Sequence, residues 1–124
     1  MNDRVYEELH HDSFSDLLVT LAGGTPSDVI RAILGLGMEG PDREIVEAVA
    51  FSSTWAAEGN VRRAGVLALA HSARRFGEAN MPAIEALCLR LQHDPGLSGA
   101  LSDMIDDIAS FVDPSFEPFA HEAK

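Results

Sequence analysis

The sequence predicts an all-α protein, a short right-handed α-solenoid of about three antiparallel helix pairs. Three observations lead there. Helix caps and 3.6-residue apolar spacing recur along the chain, strand-like alternation is nearly absent, and the segments between helices are only a few residues long. Short connections force neighbouring helices into antiparallel pairs, and pairs stacked in series make a solenoid.

Each element has its own signals. Ser13 with Asp16 makes a capping box for a helix over Phe14–Ala22, whose Phe14, Leu17, Leu18 and Leu21 share a stripe, and Gly23-Gly24 ends it. Thr25-Pro26-Ser27-Asp28 supplies an N-cap, a proline at the first helical position and an acid in the first turn. That second helix runs to about Leu36 with Val29, Ile30, Ile33 and Leu34 buried, and the glycines at 35, 37 and 40 are read as its breakers. Pro41-Asp42-Arg43-Glu44 opens a third helix that reaches about Trp55, and Gly59-Asn60 precedes a fourth over Val61–Phe76. The fourth is apolar on nearly all sides from Ala64 to Ala70, so it is an inner helix, and its Gly65 and alanines permit close approach of neighbours. Asn80 and Pro82 open a fifth, to about Gln92, and Asp94-Pro95 opens the sixth, which runs to Val112. Residues 1–112 therefore read as one domain. Residues 113–124 hold two prolines and no helical period, and are expected to be a poorly ordered tail on which Phe116 and Phe119 are the residues able to dock.

A repeat is visible on sliding the chain against itself. An offset of 36 residues lays Val61, Ala64, Ala68, Leu69, Ser72 and Ala73 on Leu97, Ala100, Met104, Ile105, Ile108 and Ala109. An offset of 39 lays Ile45, Ala48 and Val49 on Ile84, Leu87 and Cys88. These offsets match the roughly 40-residue spacing of HEAT-like helix pairs.

Charge narrows the functional classes. Among 124 residues, 20 Asp and Glu face nine Lys and Arg, a formal net charge of −11. A field of that sign repels phosphate backbones and anionic lipid, so neither nucleic acid nor a membrane is the expected partner. Two readings of the acidity stay open: a surface that keeps the chain soluble, or one that captures a basic protein. No stretch approaches the about 20 apolar residues of a membrane span, residues 1–12 lack the pattern of a signal peptide, and Cys88 has no second cysteine, so the expected compartment is the cytoplasm.

Few residue groups suggest chemistry. Gly35-Leu36-Gly37-Met38-Glu39-Gly40 has the letters G-x-G-x-x-G, but a helix runs into it and Pro41 follows, whereas a dinucleotide loop needs a strand before and a helix after. Glu7, His10, His11 and Asp12 have metal-ligand identities without a second source of ligands. Cys88 sits between Leu87 and Leu89 as a small buried hydrophobe. The strongest candidate is His71, at the flank of the buried stripe of the fourth helix. The 36-residue offset lays His71 on Asp107 and Leu67 on Asp103, so His71, Asp103 and Asp107 share a ridge, with Arg74 close by. Such a ridge either ties neighbouring helices by charge-assisted hydrogen bonds or meets a partner. No metal, cofactor or catalytic residue is expected, and the chain is not read as an enzyme.

Three blocks carry a family resemblance. Val61-Arg62 followed by Leu69-Ala70-His71-Ser72-Ala73-Arg74, the helix start Asp42-Arg43-Glu44-Ile45-Val46-Glu47, and Asp94-Pro95 followed by Leu101-Ser102-Asp103-Met104-Ile105-Asp106-Asp107-Ile108 resemble motifs of small bacterial HEAT-repeat-like proteins. The resemblance covers residues 40–112, and it implies an immunity protein of the polymorphic-toxin or contact-dependent-inhibition type. The implied function is neutralisation of a cognate, basic toxin domain by tight binding, with a generic scaffold or adaptor as the alternative. The expected partner contacts are His71, Arg74, Asp103, Asp106 and Asp107, of which Asp106 lies on the opposite side of the helical wheel, and the free protein is expected to be a monomer.

Overall fold

Five helices form among residues 23–119, the part of the chain that the computed structural model describes: α1 (Pro26–Glu39), α2 (Arg43–Ser53), α3 (Gly59–Phe76), α4 (Met81–Leu91) and α5 (Ser98–Phe111). There is no strand among the described residues. The helix expected at Phe14–Ala22 and the acidic-histidine group at Glu7–Asp12 lie outside them.

Local chemistry starts and stops these helices. The side chain of Thr25 accepts from the Asp28 amide, that of Asp42 from Glu44 and Ile45, and that of Asn80 from Ala83, so exposed N-terminal donors are satisfied by the residue just before each helix. Gly77 ends α3 in the left-handed region at φ 66°, where a side chain is strained. Asp94-Pro95 opens a single 3-10 turn, Pro95–Leu97, and the α-helix begins only at Ser98, later than expected.

The inner helix is α3. Its Val61, Ala64, Gly65, Val66, Ala68, Leu69, Ala70, Ser72 and Ala73 are all buried, and α1, α2 and α5 pack directly on it. Small residues make that possible. A Cβ on Gly65 would stand 2.6 Å from the carbonyl oxygen of Ala50 in α2, and one on Gly37 would stand 2.8 Å from Cα of Ala68. Gly37 is therefore a packing contact and not a breaker: α1 continues through Gly35 and Gly37 to Glu39, because the missing side chain at 37 lets the α3 backbone in. Ile33 from α1, Val46 and Ala50 from α2, Ile84, Leu87, Cys88 and Leu91 from α4, and Leu101, Met104 and Ile108 from α5 fill the surrounding core.

Polar ties fix the helix directions. The Asn80 amide at the start of α4 donates to Glu47 Oε2 at 3.2 Å, and Arg90 at its end donates to Thr54 Oγ1 at 2.7 Å, so α4 runs parallel to α2. Arg62 pairs with Asp94 at 3.5 Å and Arg74 with Asp107 at 3.0 Å, so α5 runs parallel to α3.

Residues 113–119, the described part of the segment expected as a tail, dock through Phe116 and Phe119. Asp113 Oδ1 accepts from the amide and hydroxyl of Ser115, the Phe116 amide donates to the Asp113 carbonyl, and the Phe116 ring is buried in the core with Phe119 packed beside it. The prolines permit this turn, and the apolar area of two phenyl rings holds it in place.

The glycines give a sharp test. Gly65→Ala gains helix propensity but has no room, and is expected to destabilise by about 1–2 kcal/mol net. Gly35→Ala, with nothing among the described residues within 4 Å of the new Cβ, is expected to stabilise by about 0.5–1 kcal/mol. Urea titration of the two variants beside the parent measures both signs.

Candidate functional site

The ridge expected to carry function lies where α3 and α5 run side by side. Arg74 Nη2 donates to both carboxylate oxygens of Asp107, at 3.2 and 3.0 Å. The Asp107 side chain is only 15% exposed while that of Arg74 is 55% exposed, and the guanidinium stands 5.9 Å from the ring centre of Phe111. His71 is half-buried, and its ring makes no hydrogen bond among the described residues. Asp103 and Asp106 are exposed, again with no hydrogen bond or ion pair among the described residues. The structure thus brings Arg74 and Asp107 together and leaves His71, Asp103 and Asp106 apart from that pair.

Register explains this. The 36-residue offset sets His71 opposite Asp107, whereas the observed pair, Arg74 and Asp107, is 33 residues apart. A shift of about one helical turn hands the carboxylate from His71 to Arg74.

Three polar residues outside the expected set hold the helices around the ridge. Glu47 is 6% exposed; its Oε1 takes Arg43 Nη1 at 2.8 Å and its Oε2 takes the Asn80 amide, so both oxygens are occupied and the carboxylate acts as a strut, not as a base. It lines an open groove of about 400 Å³ with Arg43, Phe51 and Asn80. Arg90 donates to the carbonyl and hydroxyl of the fully buried Thr54, and its guanidinium lies 3.6 Å from the ring centre of Trp55, which is itself 71% exposed. Desolvation by partial burial lowers the pKa of the Arg90 guanidinium below its ordinary value. Both ties join residues 33 or 36 positions apart, and nothing short of the structural register shows them in the sequence.

Most of the described arginines bond within the fold. Arg62 donates to the carbonyls of Ala56 and Ala57, Arg75 to those of Gly37 and Gly40, and Arg43, Arg74 and Arg90 are engaged as described. Only Arg31 and Arg63 among the described arginines make no such contact with another described residue. The carboxylates are distributed differently, with Glu39, Glu44, Glu78, Glu85, Asp103, Asp106 and Glu117 all exposed.

The thiol is inert. Cys88 is fully buried, and burial together with the Glu85 carboxylate pushes it up from 9.0 to about 12. No group of three or more His, Cys, Asp or Glu side chains is gathered as a metal site among the described residues, and none of their helices is long and apolar enough to cross a membrane.

Comparison with known proteins finds no matching family model, no matching curated protein and no matching solved structure.

Two measurements follow from these contacts. Arg90→Ala leaves the buried Thr54 carbonyl without its donor and is expected to cost about 1–3 kcal/mol, against less than about 1 kcal/mol for the half-exposed Arg74→Ala; chemical denaturation separates them. Labelling of Cys88 by a maleimide is expected to be slow in the native state and to follow unfolding. Because the folded thiol stays protonated above the range in which the unfolded one ionises, its share of stability is complete below pH 9.0 and is lost as pH rises toward about 12.

Proposed function

We propose that this chain is an immunity protein, a small module that neutralises a cognate basic toxin domain by tight non-covalent binding. It is a binder and not an enzyme, acts in the cytoplasm, and needs no cofactor or metal. One observation supports the reading: five of the seven described arginines are bonded within the fold, while Asp103 and Asp106 of α5 stand exposed without a described partner. No Lys or Arg occurs from residue 91 to 119, and Asp103 and Asp106 stand exposed on that stretch. A surface so divided draws a cationic domain by long-range attraction and speeds its encounter.

The proposed architecture is a short right-handed HEAT-like α-solenoid of about three helix pairs. Its support is a narrow range of spacings. Every side-chain hydrogen bond between distant described residues joins positions 32 to 38 apart: Arg62 to Asp94, Arg74 to Asp107, Asn80 to Glu47, Arg75 to Gly40 and Gly37, and Arg90 to Thr54. Alternate helices α1, α3 and α5 also lie in sequence as direct neighbours, as the repeated layers of such an array do. A stack of this kind offers a rigid face, and the partner contacts proposed on it are His71, Arg74, Asp103, Asp106 and Asp107, of which Arg74 and Asp107 are joined where α3 meets α5.

Charge reversal tests the reading. The double variant Asp103→Lys and Asp106→Lys alters exposed residues and is expected to keep the fold, shown by an unchanged melting curve, while slowing association with the cationic toxin domain about tenfold or more at low salt. Association with a cationic toxin domain that ignores ionic strength, or cells left unprotected when the parent protein is co-expressed with the toxin domain it binds, overturns it.

A further inference from the structure

The segment after α5 is held differently from the helices. Its hinge is Asp113: Val112 leaves helical geometry at φ −121° and ψ −57°, the Asp113 amide turns back to the Ile108 carbonyl, and the Asp113 carboxylate takes the amide and hydroxyl of Ser115 at 3.0 and 2.7 Å. The Phe116 amide closes the turn on the Asp113 carbonyl. All of these bonds lie within the segment or at its root. Among the described residues, no hydrogen bond or ion pair joins residues 114–119 to any of the five helices, whereas α4 is tied through Asn80 and Arg90 and α5 through Asp107.

What holds the segment down is apolar. Phe116 is 8% exposed and belongs to the buried core cluster, Pro118 is buried, and Val112 and Phe119 are half-buried against the same cluster. Such contact is non-directional, so it is released in one movement when the ring lifts, and no hydrogen bond to a helix has to break. Pro114 and Pro118 each fix their own φ and carry no N–H, so the segment is stiff and has little freedom to lose when it closes.

We propose that residues 113–119 are a latch that opens and closes as a unit of its own, with Phe116 as its anchor, baring the apolar core beside Val112 while the five helices stay packed. A segment without polar ties to its scaffold opens at a lower free energy than the scaffold unfolds. Opening gives the protein a second form, with an apolar site that the closed form lacks. The inference goes beyond the toxin-binding reading and stands without it, since none of the residues assigned to the partner takes part.

Amide hydrogen exchange of the full chain, read by nuclear magnetic resonance, tests the latch. The Ser115 and Phe116 amides are expected to exchange faster than those of Leu69 and Ala70 in buried α3, and with a weaker dependence on urea, because opening exposes little surface. Phe116→Ala is expected to speed exchange of the Ser115 amide by about a hundredfold. The same variant is expected to bind the neutral apolar dye Nile red more strongly than the parent, while keeping its helical circular dichroism spectrum and a cooperative unfolding transition. Asp113→Ala removes the hinge and spares the anchor, and is expected to speed exchange of the Phe116 amide by about tenfold. Ser115 and Phe116 amides that share the exchange rate and urea dependence of α3, dye binding no greater than the parent's, or a Phe116→Ala variant that loses its helices overturns the proposal and makes the segment part of one cooperative core.

Discussion

The arrangement depends on backbone approach at two glycines. Gly65 faces the Ala50 carbonyl and Gly37 faces Ala68 at distances that leave no room for a methyl group, so α1 and α2 close on α3 instead of standing off it, and α5 packs on α3 as well. Everything larger in the core is placed by that closeness. Ile33, Val66, Leu69 and Met104 are fully or almost fully buried because the helices carrying them are drawn to the same thin axis. The glycines cost helix propensity, and dispersion contacts along two helix seams offset it.

The second organising element is arginine directed at helix ends. Arg75 reaches the last carbonyls of α1, Arg90 the carbonyl just past α2, and Arg62 the carbonyls of the loop before its own helix. These are the acceptors that a helix terminus leaves open, and a planar guanidinium can serve two at once. The same choice determines the outside of the molecule. These bonds fix where the cations stand, and Asp103 and Asp106 on α5 are left without a described cation paired to them.

What could be read from the sequence divides by the range of the contact. The caps at Thr25, Asp42 and Asn80 were legible because a short polar side chain bonds an amide two or three residues away, and chain order alone reveals it. Helix identity and the inner position of α3 followed from apolar residues on all its sides. Gly37 was misread as a breaker because its role depends on Ala68, thirty-one positions on, and a glycine looks the same whether it ends a helix or seats one. The ridge was legible to within one turn: self-alignment found the right helices but set His71 where Arg74 stands. Glu47, Thr54 and Arg90 were missed because their partners include main-chain groups, which every position has.

The clamps on main-chain carbonyls have a consequence for acid. A carbonyl oxygen does not titrate in the range where carboxylates gain protons, so the ties made by Arg62, Arg75 and Arg90 to Ala56, Ala57, Gly37, Gly40 and Thr54 do not depend on an ionised acidic partner. Acid meanwhile discharges the exposed carboxylates and relieves their mutual repulsion. The scaffold and its surface field therefore answer to pH separately: acid at about pH 4 and below weakens the long-range field, while the ties at α1, α2 and the loop before α3 involve no group that gains a proton there.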